Sequence, residues 1–151
     1  MAQPSLTLYM APGACSIIPQ ILLQQAGLSY KTIGVSVKSQ GQQFSSENPK
    51  GQVPVLIWND EVVTELPAIA HTINHLAPEA KILGGSPLVF IRVCEWMSFL
   101  SGSIHAQAWG PYIRPFRFTD EPAVEAGVRR KAEQLLRERA ALLEEKLPAD
   151  A

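Results

Sequence analysis

The feature that most constrains this chain is a change of periodicity half-way along it. Strand and helix patterns alternate up to about Leu76, and helical spacing alone follows. Ser5–Tyr9 alternates polar and apolar residues as a short strand does, and Ala11-Pro12-Gly13 breaks it. A helix is predicted from near Ser16, a residue type that caps helices, with Pro19 tolerated in its first turn and Gly27 closing it. Tyr30–Val37 is rich in β-branched residues and reads as a second strand; polar Gln42–Asn48 reads as a short helix. Val53–Trp58 and Val62–Val63, joined at Asn59-Asp60, read as a third and a fourth strand. Glu65–Leu76 returns to helical spacing, with Ile69, Ile73 and Leu76 on one face. A strand–helix–strand start implies a parallel pair, and two adjacent strands imply an antiparallel hairpin, so the expected sheet is mixed.

Pro78, Gly84, Gly85 and Pro87 mark the stretch Ala77–Pro87 as a linker. Leu88–Trp109 is apolar almost all round, which predicts a central buried helix. A proline-containing break over Pro111–Pro122 leads to a last amphipathic helix carrying Val124, Val128, Ala132, Leu135, Leu136, Leu143 and Leu147. The expected organisation is α/β followed by all-α, with domains over 1–80 and 87–151.

At 151 residues the chain is long enough to bury a core. Its hydrophobic share of 46% against 18% charged residues is that of a globular rather than a disordered protein. A net charge of −1 offers no attraction to nucleic acid or to an anionic membrane, so neither is expected as a partner. No apolar run is read as long enough to span a bilayer, and no export signal is expected at the N-terminus. Cys15 and Cys94 sit in different contexts and do not make a disulfide framework, so the cytoplasm is the expected setting.

The positions that bear chemistry are few. Cys15 lies where a strand gives way to a helix, and the positive end of that helix favours a thiolate; a small apolar Cys in a packed turn is the alternative. Ser16 next to it is explained equally well by capping. A proline at the head of a strand, in Val53-Pro54, implies either a cis peptide or an ordinary first position. Glu65 at a helix start gains from the helix dipole, and it also suits a ligand's ammonium group. His105, near Ser101, Ser103 and Gln107, reads as a hydrogen-bonded core histidine or a site residue. His71 and His75 are spaced for a metal, but with no Glu beside the first they read as an exposed helix face. Phosphate loops, serine-hydrolase elbows and Cys-x-x-Cys pairs are absent.

In their joint order, LTLYMAPGACS, QILLQQAGLSY, NPKGQVPVL, TELPAIAHTI and CEWMSFLSGSIHAQ resemble successive segments of the bacterial-type, beta-class-like cytosolic glutathione transferases. The resemblance implies a thioredoxin-like domain with a mixed four-stranded sheet, followed here by a truncated helical domain. It implies glutathione as co-substrate, no metal, a small hydrophobic electrophile as second substrate, and a homodimer. Carried over by residue, Cys15 would face the glutathione sulfur, with Ser16 and His105 beside it as further catalytic residues. Val53, before a cis Pro54, would pair with the cysteinyl part of the ligand, and Gln52 and Pro54 join it as binding residues. Glu65 and Leu66 would hold its γ-glutamyl end, and Lys38 would approach its glycine carboxylate. The family usually has Ser where Leu66 stands, which removes a hydroxyl bond worth about 0.5–1.5 kcal/mol. Its helical domain usually has further helices, so exposed apolar surface and self-association are expected. The implied activity is transfer of the glutathione thiolate to an electrophilic carbon. Glutathione-dependent isomerisation and thiol transfer through Cys15 are alternatives, and so, in another class, is a non-catalytic assembly protein.

Overall fold

The computed structural model describes residues 4–36 and 48–147, and the chain divides into two compact units, Met1–Cys94 and Glu95–Ala151. In the first unit, β1 (Leu6–Met10), α1 (Ile17–Gln25), β2 (Lys31–Gly34), β3 (Val55–Trp58), β4 (Glu61–Thr64) and α2 (Leu66–Leu76) follow in order. The strands form one sheet in the order β2-β1-β3-β4. β1 runs parallel to β2 and antiparallel to β3, which pairs antiparallel with β4, giving the mixed sheet that the sequence order implied.

Alternation along the strands builds two apolar layers. Leu6 and Leu8 of β1 and Leu56 of β3 point to one face, where Leu23 of α1 and Ile69 and Ile73 of α2 meet them in a buried cluster. Each such side chain contributes roughly 1.5–3 kcal/mol on leaving water. Ala11, Val35, Val53 and Val55 form a second buried cluster, with Tyr9, Ala14 and Ile57 against it. Helix α1 ends as Gly27 predicts. Gly27 adopts φ 65°, its amide donates to the Gln24 carbonyl and the Leu28 amide to that of Leu23, which is the Schellman arrangement.

One helical run covers Pro87–Ile113: α3 (Pro87–Ser98), a π-wound segment (Phe99–Trp109) and α4 (Gly110–Ile113). In the π-wound part hydrogen bonds reach five residues back, as where the Gly110 amide donates to the His105 carbonyl. Helix α5 (Glu125–Lys146) follows. In the second unit Ala108 and Ala132 are buried, small residues that let α5 approach the π-wound segment closely. Arg139 of α5 donates to the Ser103 carbonyl and, at 2.9 Å, to Gln107 Oε1.

Three expectations need correction. The Leu88–Trp109 stretch is not a buried helix: no residue of α3 is buried, and Leu88 and Ile91 are 64% and 57% exposed. Hydrophobicity selects the helix but cannot say what covers it. The 27-residue run Pro87–Ile113 contains an 18-residue window with a mean hydropathy of 1.2, long and apolar enough by length and composition alone to cross a membrane, against the reading that no segment is. Ser16 stands at the N-cap position of α1 without a side-chain capping bond. Its hydroxyl turns inward instead. The short helix expected over Gln42–Asn48 lies outside the described residues except for Asn48.

Candidate active site

The turn after β1 is set by its residues. Pro12 and Gly13, with Gly13 at φ 70° and the Ala14 amide donating to the Ala11 carbonyl at 3.2 Å, give the signature of a type II turn. That turn delivers Cys15 to the start of α1, half-buried, with its Sγ 3.4 Å from the Val53 carbonyl oxygen. Ser16 is fully buried. Its Oγ accepts from the Ala11 amide at 3.1 Å and donates to the Ala11 carbonyl at 3.2 Å. The hydroxyl expected to take part in chemistry is therefore committed to the backbone, and Ser16 holds the turn that presents Cys15.

Asn48-Pro49-Lys50-Gly51 carries the residue types of a second β-turn, closed by the Gly51 amide on the Asn48 carbonyl at 2.9 Å. Asn48 is buried, and its side chain serves both ends of the loop. It donates to the Gln52 carbonyl at 2.8 Å and accepts from the Lys50 amide at 3.1 Å. The loop leads into Val53-Pro54, whose peptide is cis. The side chain of Gln52 is exposed, while Val53 and Pro54 are buried.

Glu65 is the N-cap residue of α2 and adopts φ 69°, ψ 128°, a conformation that costs a non-glycine residue on the order of 1–3 kcal/mol. Such outliers concentrate at ligand sites. Its carboxylate makes no capping bond; Oε1 accepts from Lys50 Nζ at 2.7 Å, and the same ammonium donates to Thr64 Oγ1 at 2.9 Å. Leu66, half-buried, is the first residue of α2, and Pro67 follows without an amide hydrogen.

Strand register brings these pieces together. Tyr9 pairs with Val55, and Val55 with Thr64, so the end of β1, the beginning of β3 and the end of β4 lie side by side. The next residues, Pro54 and Glu65, continue adjacent strands about 5 Å apart. Cys15 meets Val53 just before β3, and Glu65 follows the neighbouring β4 at the same edge of the sheet. The edge offers a thiol at a helix start, a strand-end backbone and a carboxylate beside a helix N-terminus. Of the other predicted site residues, His105 is exposed in the second unit, on the π-wound segment, and Lys38 lies outside the described residues.

Lys50, Thr64 and Asn48 are residues that the sequence reading did not assign. Asn at the first and Gly at the last position of a proline turn was a usable signal for Asn48. A cation meeting a carboxylate 15 positions away left no local one. The exposed histidines His71 and His75 go to separate aromatic partners, Phe90 and Trp58. Among the described residues no three His, Cys, Asp or Glu side chains gather as a metal site would require.

Comparison with known proteins gives the family. Residues 4–74 match the model of the glutathione S-transferase N-terminal domain. The solved glutathione transferase of Methylococcus capsulatus str. Bath is 32% identical, with 93% of this chain and 68% of that one covered, at a TM-score of 0.79. The chain belongs to the glutathione S-transferase family. A second family structure, a sphingomonad glutathione S-transferase complexed with glutathione, is 27% identical and covers 93% of this chain and 69% of its own at a TM-score of 0.78. Glutathione S-transferase GstA of Escherichia coli O157:H7 is 28% identical over 114 residues, 72% of this chain and 56% of GstA. The chain thus spans little more than half of that family member. The fold is the family's: a thioredoxin-like domain with a mixed four-stranded sheet, followed by helices.

Proposed function

We propose that this glutathione S-transferase family chain binds glutathione along the edge formed by Cys15, Gln52, Val53-Pro54, Glu65 and Leu66, and directs its thiolate at a small hydrophobic electrophile. The observation that carries the reading is the convergence of Cys15 Sγ on the Val53 carbonyl, with Glu65 at the end of the neighbouring strand. A thiolate needs favourable charge placed where its own charge sits, and the positive end of α1 supplies it. Residues 1–80 form the glutathione domain and 87–151 the helical domain in this reading, which also counts Lys38 among the binding residues and His105 among the catalytic ones. The setting is the cytoplasm, where thiols stay reduced.

A second reading is favoured by one observation. Ser16 faces inward, which leaves the Cys15 thiol as the side chain at the start of α1 beside Val53. Thiol transfer through Cys15 uses that arrangement directly. Calorimetric titration with glutathione tests both readings at once. Saturable binding is expected, weakened about tenfold or more in Glu65→Ala, since a charged hydrogen bond contributes about 1.5–3 kcal/mol. No heat from the unsubstituted chain contradicts the proposal.

The chain is also proposed to form a homodimer. Leu88, Val89, Phe90 and Ile91 of α3 are all exposed, with Leu88 and Ile91 one turn apart on the same side, and such apolar side chains gain from being covered by a partner. Light scattering is expected to give a dimer mass that falls on dilution. A monomer mass at every concentration contradicts it.

A further inference from the structure

Helix α2 begins poorly supplied with donors for an anion. Of its first three positions, Leu66 brings an amide but an apolar side chain, Pro67 brings no N–H, and Ala68 brings an amide alone. An amino-acid zwitterion at Glu65 therefore finds a partner for its ammonium and little for its carboxylate. Lys50 stands where that deficit falls. Its position is fixed by the Asn48 turn, and its Nζ is 2.7 Å from Glu65 Oε1 and 2.9 Å from Thr64 Oγ1. A lysine ammonium has three donors, and among the described residues two are used there. The Glu65 bond falls on Oε1, so among the described residues Oε2 remains to accept from a ligand's ammonium. Cation and carboxylate side by side are complementary to the carboxylate and ammonium of an α-amino acid, set as alternating charges.

We propose that Lys50 is a specificity-determining residue that reads the α-carboxylate of the ligand's γ-glutamyl end, while the paired Glu65 reads its ammonium. This rests on the glutathione reading above and adds to it the residue that selects an intact amino-acid terminus. No movement of Lys50 away from Glu65 is required, because the third donor is unused among the described residues. Both side chains are more than half exposed, so the effect is screened and modest.

The test compares two ligands on the full chain by calorimetry: glutathione, and the analogue with 4-aminobutyryl in place of γ-glutamyl, which keeps the ammonium and lacks the α-carboxylate. Lys50→Met and Lys50→Gln are expected to weaken glutathione binding about threefold to tenfold. Both should leave the affinity for the analogue unchanged, and Lys50→Arg should keep most of the glutathione affinity. Equal loss on the two ligands shows that Lys50 only holds Glu65 or the loop, and overturns the proposal; so does no loss on either. An unsubstituted chain that binds neither ligand overturns the glutathione reading itself, and this inference with it.

Discussion

If thiol transfer runs through Cys15 as proposed, replacing it by Ala is expected to abolish a mixed disulfide with glutathione and to lower thiol transfer about a hundredfold or more. The reaction needs a thiolate. Cys15 sits at the start of α1, where the positive end of the helix favours the ionised sulfur. In the proposed reaction that sulfur would attack one sulfur of glutathione disulfide, forming a Cys15–glutathione bond while the second glutathione leaves as a thiolate. Alanine removes the attacking atom, and Ser16 cannot replace it because its hydroxyl is buried against Ala11. Conjugation of an electrophile uses glutathione's own sulfur and should fall by less than about tenfold, since the backbone donors remain. Intact-mass measurement checks the adduct, and assays with a disulfide and with a general electrophile separate the two activities. Cys94→Ala should retain the adduct. An adduct that persists in Cys15→Ala and vanishes in Cys94→Ala would refute the assignment.

Ser16→Ala is expected to act one residue away by an entirely different route. Oγ satisfies both the amide and the carbonyl of buried Ala11, the residue at which β1 turns toward Cys15. Without it, two buried backbone groups lose a partner and the type II turn loses its brace. The expected cost is about 1–3 kcal/mol of stability, read as a lowered urea midpoint with an unchanged slope. Because the turn presents the thiol, adduct formation at Cys15 should slow as well, while the adduct still forms. A stability change below about 0.5 kcal/mol would mean that the hydroxyl does not hold the turn, with the magnitude judged against the usual range for surface substitutions.

Much of the first unit was legible because its signals are local. Gly27 announced the end of α1, Pro12-Gly13 the turn that carries Cys15, and the spacing of Ile69 and Ile73 the face that α2 buries. The mixed sheet followed from element order alone, since a crossover and a hairpin impose opposite strand senses. What escaped depends on distant partners. Residue type at position 16 suggested a cap, yet the side chain found better-placed groups in Ala11. The Lys50–Glu65 pair joins a loop to a helix start through strand register, which no spacing rule reports. The apolar α3 stretch looked like core, but burial is a property of neighbours rather than of composition. The π winding of Phe99–Trp109 had no pattern in its residues that a helical period would separate from an ordinary helix.

The central claim is that three separate stretches of chain meet to hold one tripeptide. Following backbone amide shifts by NMR while glutathione is added to the full chain tests it most directly. Saturable changes gathered at Cys15, Gln52-Val53 and Glu65-Leu66 are the predicted result. Binding that leaves those amides unmoved, or no binding at all, would contradict it.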